Sequence, residues 1–497
     1  MQTLDIEGFL GEPIKIIVDS AGHYMYEPRR LDGFVTESVC AHNLAFDLRM
    51  IQDAGFNYVE DFHDTMILAR LCGREKLALK ELTKQDLEKD ILNYKEFKAQ
   101  YSDPTEQEWL DYCGSHARVT KELFDMYHPA VMNHDMERIY DIERNLIPII
   151  TEMQRQGVRL DQQRVADLIK EYESKLELAT SELKKMGGDF NLNSNQQVAQ
   201  VLLSRGAELA FTKGGGNYCV DVSALKKLDD EFATRLLDYR EYTKLLGTYL
   251  YNWAGKESIH ASFNQAGTVT GRFSSSKPNM QNIPKSLRGC FVPPKGMYWA
   301  SCDYNQTELQ ILAQFSQDKQ MLADFASGID IHMATSINIA GKEDRPLGKT
   351  LNFAIVYGLS RWALALKLGV AEIQAGALQK IYFNTYSGIQ SWIKETHKQF
   401  DRGEELRTVS GRLLFPRDHR TAVNYIIQGS SADACKSAML AIRRGGYQPV
   451  VQVHDELLTP VYNEDAGLEI RDIMERDGMG QFGLNLPVTA KFLERWE

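Results

Sequence analysis

The chain has 497 residues, 43% of them hydrophobic and 25% charged, with a formal net charge of −11 at pH 7. Those values suit two to four globular domains of ~100–200 residues and exclude a collagen-like, low-complexity or largely disordered chain. No apolar run approaches the ~18 residues of a membrane span, and the first residues lack the basic and apolar blocks of a signal peptide, so no membrane partner and a cytoplasmic location are expected. Seven cysteines without a CxxC pair make neither a disulfide framework nor a zinc site.

In chain order, residues 1–127 mix short apolar strands such as Ile14–Val18 with helical patterns. Met136–Gln156 predicts a helix ending at Gly157, with a domain boundary near 129. Gln162–Met186 predicts a long charged amphipathic helix stopped by Gly187-Gly188, and Ala233–Trp253 a second long helix. Asn264–Pro284 turns to Ser, Asn, Gly and Pro, the composition of an ordered loop with short strands. Arg240–Ala300 carries eight basic residues against Glu241 and Glu257. Binding of phosphate depends on where charge sits, so this local excess suits a nucleic-acid surface; it equally suits a solvated basic surface. Tyr298–Cys302 reads as a buried strand, and Val450–Val453 with Leu457–Val461 as a hairpin. Residues 306–400 and 421–444 are mostly helical in pattern. The expected class is mixed α/β in several domains.

Each of the last two strand patterns meets an aspartate, Asp303 after the strand and Asp455 in the hairpin turn. If strand and hairpin share a sheet, the two carboxylates converge and suit Mg²⁺, which keeps waters and takes one or two carboxylates plus substrate phosphates. Two such ions activate an attacking hydroxyl and stabilise a leaving oxygen. Either aspartate alone reads as a turn cap or a solvated acid. A second pattern adds weight. Arg345, Lys349, Phe353 and Tyr357 recur every four residues, and each step of four drifts only ~40° on a helix, so they form one stripe. Two cations followed by two aromatics can hold a triphosphate and stack on a base, while an ordinary surface helix with snorkelling bases has the same pattern.

With these residues the chain resembles family A DNA polymerases, the DNA polymerase I type, over nearly its whole length. The resemblance rests on Thr270-Gly-Arg-Phe-Ser-Ser with Pro278-Asn-Met-Gln-Asn-Ile-Pro284, Asp303-Tyr-Asn-Gln-Thr-Glu-Leu309, Arg345–Gly358 and Gln452-Val-His-Asp-Glu456. It implies a right-hand fold with a polymerase domain at 129–497: thumb at about 150–255, palm at about 256–310 and 405–497, fingers at about 311–404. It implies a template-directed DNA polymerase using two Mg²⁺ ions, replaceable by Mn²⁺, with primer–template DNA and dNTPs as partners. Asp303 and Asp455 become the metal ligands, and with Glu456 and Lys349 the catalytic set. Arg345, Lys349 and His332 grip the triphosphate; Phe353, Tyr357, Tyr304 and Gln306 complete the nucleotide site; Glu308 sits under the sugar and excludes a 2′-hydroxyl. Arg272, Asn424, Gln428, His454, Lys244 and Gln452 meet DNA. Phe353, where tyrosine is the alternative, implies poor use of dideoxynucleotides. Asn305, Thr307 and Gln310 stand where Ser, Ile and Arg are usual, and Pro346 where a base is common, without removing a ligand.

The resemblance also implies an N-terminal ribonuclease H-like 3′–5′ exonuclease domain at 1–128. Asp5 and Glu7 match its first motif, His42-Asn-Leu-Ala-Phe-Asp47 its second, and Tyr112 begins its third. The aspartate expected one turn after Tyr112 is His116. A hard Mg²⁺ ion prefers carboxylate oxygen, so the expectation is a degraded exonuclease. Compactness and a start at the exonuclease block suggest a phage-like form without a 5′-nuclease domain, working as a monomer in a bacterial cytoplasm with or without a processivity factor. The competing readings are an exonuclease as the main activity, a DNA-binding accessory protein and a single-subunit RNA polymerase. His116 opposes the first, the intact acids and cations the second, and Glu308 the third.

Overall fold

The computed structural model describes residues 39–53, 61–212, 214–484 and 486–497, with strand backbone also at 2–3, 15–18 and 24–27. It divides into two compact units, one of Met1–Gly157, His260–Ile283 and Pro294–Glu494, the other of Val158–Ile259, Pro284–Pro293 and Arg495–Glu497. Among the described residues no helix is long and apolar enough to cross a membrane.

The first unit begins with a parallel sheet in the order Gln2–Thr3, Val39–Ala41, Phe62–Asp64. Val39, Cys40 and Ala41 are wholly buried, as a short apolar run in a parallel sheet should be. The helix Glu106–Asn133 starts at a capping box, Thr105 with Glu108, and runs through Pro129 to its end. The boundary expected near 129 therefore falls inside a continuous helix. Glu137–Gln156 follows and stops at Gly157 (φ 63°), a left-handed position that costs glycine little.

A four-stranded antiparallel sheet forms the centre of the same unit, in the order Val451–Val453, Glu456–Val461, Tyr298–Tyr304, Val488–Leu493. The expected strand and hairpin thus share one sheet, and Asp303 pairs across it with Glu456. His419–Arg444 is buried without a break from Gly429 to Ile442. Helices from Thr307–Ser316 to Ser387–Asp401 follow the Tyr298–Tyr304 strand, and a short strand pair, Leu406–Arg407 with Leu413–Leu414, separates them from His419–Arg444. Two of them, Ile331–Ala340 and Arg345–Val356, meet at Gly348, where a Cβ would stand 1.8 Å from the carbonyl oxygen of His332. Only glycine lets these backbones come so close.

A buried ionic knot ties distant segments of this unit. Glu143 Oε1 accepts from Arg412 Nη2 and Lys436 Nζ, each at 2.5 Å, and Arg412 also reaches Asp433 at 2.6 Å. Gln265 donates to Glu143 Oε2 at 2.8 Å, so the cluster is hydrogen-bonded as buried charge requires. Burial alone would raise the Glu143 carboxyl, but Lys436 and Arg412 hold it below its ordinary range.

The second unit holds the helices Gln162–Gly187 and Glu231–Lys244, the latter continuing through a wider turn at Leu245–Leu250. Leu183, Leu202, Phe232 and Leu236 form its apolar core. Phe291 lies between Trp253 and Trp496, with ring centroids 5.0 and 5.6 Å away.

Candidate active site

Asp303 owes its position to strand alternation. Cys302 and Tyr304 point into the protein, so Asp303 between them faces out. The hairpin turn brings Asp455 beside it: His454 takes a left-handed backbone (φ 55°), and the Asp455 carbonyl accepts from the Tyr304 N–H at 3.3 Å. Ser431 Oγ donates to Asp455 Oδ1 at 2.8 Å, and Ser301 Oγ to Glu456 Oε1 at 2.7 Å. Burial, then the charges of Asp455 and Glu456, push the Asp303 carboxyl up to about 6, with Lys491 opposing. Such a concentration of carboxylates is what a divalent cation relieves. Among the described residues no three His, Cys, Asp or Glu side chains are already gathered as a closed metal cage. An ion that takes few protein carboxylates and fills its shell with water and phosphate fits this open set.

The Arg345–Val356 helix carries the cationic and aromatic stripe, and Tyr357 is its C-terminal cap. Phe353 and Tyr357 stack with centroids 5.8 Å apart at 18°, and Lys349 Nζ lies 5.8 Å from the Phe353 ring. Arg345 donates to Asp330 Oδ2 at 3.0 and 3.1 Å, and Gln306 Nε2 to the same oxygen at 3.2 Å. Burial raises Asp330, but the Arg345 pair and backbone donors hold its carboxyl below its ordinary range. His332 is buried, 5.9 Å from Phe353; burial pushes its imidazole down to about 4, with Arg345 and Lys349 adding and Asp330 opposing.

Arg272 and Glu308, expected at different ligands, are each other's partner at 2.5 Å, and the Tyr357 hydroxyl bonds the same carboxylate. Burial raises the Glu308 carboxyl above its ordinary range, against the pull of Arg272. Asn424 and Gln428 are half-buried on His419–Arg444, and His454 is exposed. Asn424 Nδ2 lies 3.5 Å from the Val356 carbonyl. Lys244 is an exposed residue of the second unit.

Two expected contacts need correction. The Tyr304 side chain cannot meet a nucleotide, because alternation sends it into the core, where its hydroxyl donates to the Met474 carbonyl at 2.9 Å. Gln452 is likewise buried: its Oε1 accepts from Gln281 at 2.9 Å and its Nε2 donates to the His454 carbonyl at 2.5 Å. It shapes the turn before Asp455 instead of meeting DNA. The serines that hold the acids, Ser301 and Ser431, went unnoticed because a lone serine carries no sequence signal.

In the N-terminal block, Asp47, Tyr112 and His116 line one cavity of about 810 Å³. Tyr112 and His116 are one turn apart with rings 4.4 Å apart, and His116 Nε2 bonds the Leu92 carbonyl at 2.8 Å. Asp5 and Glu7 lie outside the described residues. Asp64, also unforeseen, is fully buried and accepts from the N–H groups of Asn43, Leu44 and Met66 at 3.0, 2.9 and 2.8 Å.

Residues 162–497 match the family model described as DNA polymerase family A. The chain belongs to that family. Residues 33–130 match a second model, 3′–5′ exonuclease. DNA polymerase I of Chloroflexus aurantiacus is 31% identical over 91% of this chain and 54% of its own length. DNA polymerase I of Caldicellulosiruptor bescii is 31% identical over 76% of this chain and 49% of its own. The chain thus spans about half the length of these curated relatives. Among solved structures, the POL domain of Pol1 from M. smegmatis, in complex with DNA primer-template and dNTP, is similar with a TM-score of 0.81 and 25% identity, covering 92% of this chain and 86% of that one. The family A fold with an N-terminal exonuclease domain agrees with the expected architecture.

Proposed function

We propose that the chain is a template-directed DNA polymerase that adds deoxynucleotides to a primer 3′-hydroxyl. The observation that carries this reading is the pairing of Asp303 with Glu456 across the sheet and Asp455 in the adjoining turn, with Asp303 raised to about 6 by burial and by the charges of these two neighbours. Asp303 and Asp455 are the proposed holders of two divalent ions, with Glu456 beside them. Mg²⁺ suits this all-oxygen set, and Mn²⁺ can substitute. When bound, such ions supply activation of the primer hydroxyl and stabilisation of the leaving oxygen in an in-line displacement.

The protein groups do the rest. Ser431 and Ser301 fix Asp455 and Glu456, so the acids need little reorganisation. Arg345 and Lys349 neutralise the incoming triphosphate, and neutral His332 offers it an N–H. Arg345 reaches the phosphates by exchanging the Asp330 carboxylate for another anion. Phe353 and Tyr357 pack on the nucleotide and template base, and Gln306 lies beside them. Glu308, held by Arg272, occupies the space a ribose 2′-hydroxyl needs. Arg272, Asn424, Gln428 and His454 meet the minor groove, whose acceptors are common to all base pairs, while Lys244 meets a backbone phosphate. Primer–template DNA and dNTPs, the ligands of the M. smegmatis POL domain, are the proposed partners.

The exonuclease block is proposed to be weak or inactive. His116 stands where a carboxylate is needed, and one of its ring nitrogens is engaged by the Leu92 carbonyl. A labelled primer–template with Mg²⁺ tests both halves. Elongation with dNTPs and no shortening without them is expected. No elongation with Mg²⁺ or Mn²⁺ overturns the polymerase reading, and shortening without dNTPs overturns the exonuclease reading.

A further inference from the structure

A chain of buried polar groups lies behind His332. Its anchor is Asp324, whose Oδ2 accepts from the Tyr386 hydroxyl at 2.8 Å and from Asn338 Nδ2 at 3.0 Å. Having given its proton to a carboxylate, the Tyr386 oxygen accepts from its other neighbours, Thr335 at 3.3 Å and Asn338 Nδ2 at 3.4 Å. With its own proton shared between the Tyr386 oxygen and Asn352 Oδ1, each 3.3 Å away, Thr335 Oγ1 accepts from Asn352 Nδ2 at 3.0 Å. That choice turns Asn352 Oδ1 towards the Tyr382 hydroxyl at 3.0 Å and leaves the second amide proton of Nδ2 aimed at His332 Nδ1, 3.1 Å away. Asn352, Thr335, Tyr382 and Tyr386 are all fully buried, so no solvent competes for these bonds.

We infer that Asn352 is a positioning residue for nucleotide binding: its amide, oriented by the relay from Asp324, makes His332 Nδ1 an acceptor and so places the ring proton on Nε2. A neutral imidazole in that tautomer is a donor; the other tautomer would present a lone pair to an anion. The inference rests on the proposed contact between His332 and the triphosphate. The charged groups acting on His332 are Asp330 from its own helix cap and Arg345 and Lys349 from the neighbouring helix, with Asp324 behind the relay. The two cations disfavour imidazolium, so hydrogen-bond direction, rather than charge, is the remaining control. The sequence hides the device, because Asn352 sits between two residues of the recognised stripe and looks like a spacer.

Asn352→Asp keeps the shape and removes the donor. Its carboxylate accepts a proton from Nδ1, so His332 flips its tautomer or becomes imidazolium. The KM for dNTP is expected to rise about tenfold at pH 8 and to recover as pH falls towards 6, where imidazolium again offers an Nε2 proton; wild type should show no such recovery. Nitrogen-15 spectra of histidine-labelled wild type should show the Nε2–H tautomer for the signal missing in His332→Gln, and a changed state in the Asp variant. A wild-type Nδ1–H signal overturns the proposal. So does an N352D enzyme with unchanged KM while His332→Gln raises it, since the triphosphate contact then stands and the positioning role falls. If His332→Gln itself leaves KM unchanged, the contact fails and the inference with it. Should N352D not fold, Asp324→Asn removes the anchor of the relay and is read by the same spectra and the same KM.

Discussion

One chain holds two carboxylate sites that spend their charge differently. At Asp303, Asp455 and Glu456 the negative charge is concentrated, held by serine hydroxyls and one distant lysine, and one acid is pushed up to about 6 by burial and by the others. In the N-terminal block, Asp64 is consumed in capping a helix and accepting from two further N–H groups, and His116 lines the same cavity as Asp47. The first arrangement costs stability, and a bound cation, as proposed, would relieve it. In the second, Asp64 and His116 are engaged by backbone groups of the block itself. A site for a hard cation is recognised by repulsion left unrelieved, not by the number of acids nearby.

Breaking the first site gives the largest expected effect. Asp303→Asn or Asp455→Asn should lower primer extension by roughly 10³–10⁵-fold, while circular dichroism and the melting temperature stay unchanged or improve, because a repulsion has been removed. A fall in stability with either variant would mean that these acids are structural. Rebuilding the second site sharpens the contrast: His116→Asp should raise dNTP-free shortening of a labelled primer by at least about 10–100-fold. No gain would place the defect at Asp5 and Glu7 or elsewhere in the block.

The sugar gate comes next. Glu308→Ala should raise ribonucleotide insertion relative to deoxyribonucleotide by about 10–100-fold, with a loss of overall rate because Arg272 keeps its burial and loses its partner. Unchanged sugar selectivity sinks the gate. The smallest effect concerns pH. The His332 imidazole falls from 6.5 to about 4 in the folded chain, so between those values the unfolded chain binds a proton that the folded one refuses. Stability should therefore decline as pH drops from 6.5 towards 4, and His332→Gln should remove that share, as measured by chemical denaturation at neutral pH and near pH 5.

What the sequence disclosed follows the range of each interaction. Apolar runs and turn signals placed the Asp303 strand, the Asp455 hairpin and the Arg345 stripe, because all three are local patterns. Tyr304 was open to the same reasoning, although the resemblance assigned it to the nucleotide site: an alternating strand that turns Asp303 outward must turn its neighbour inward. The partnership of Arg272 with Glu308 spans 36 residues, and that of Glu143 with Lys436 spans 293. No periodicity encodes such pairs. His116 was visible as a change of residue type, but the carbonyl that occupies it required the fold.

The buried knot of Glu143, Arg412 and Lys436 bears on where the polymerase part can be cut. The polymerase match begins at residue 162, yet the acid that neutralises two buried cations of the polymerase part lies before it. A chain trimmed to the match would leave Arg412 leaning on Asp433 alone and Lys436 without its carboxylate, a loss of about 3–5 kcal/mol by the usual cost of stranding a buried charge. The folded polymerase part therefore reaches back at least to Glu143, ahead of the residues that the family model matches and beyond the end of the exonuclease match at 130.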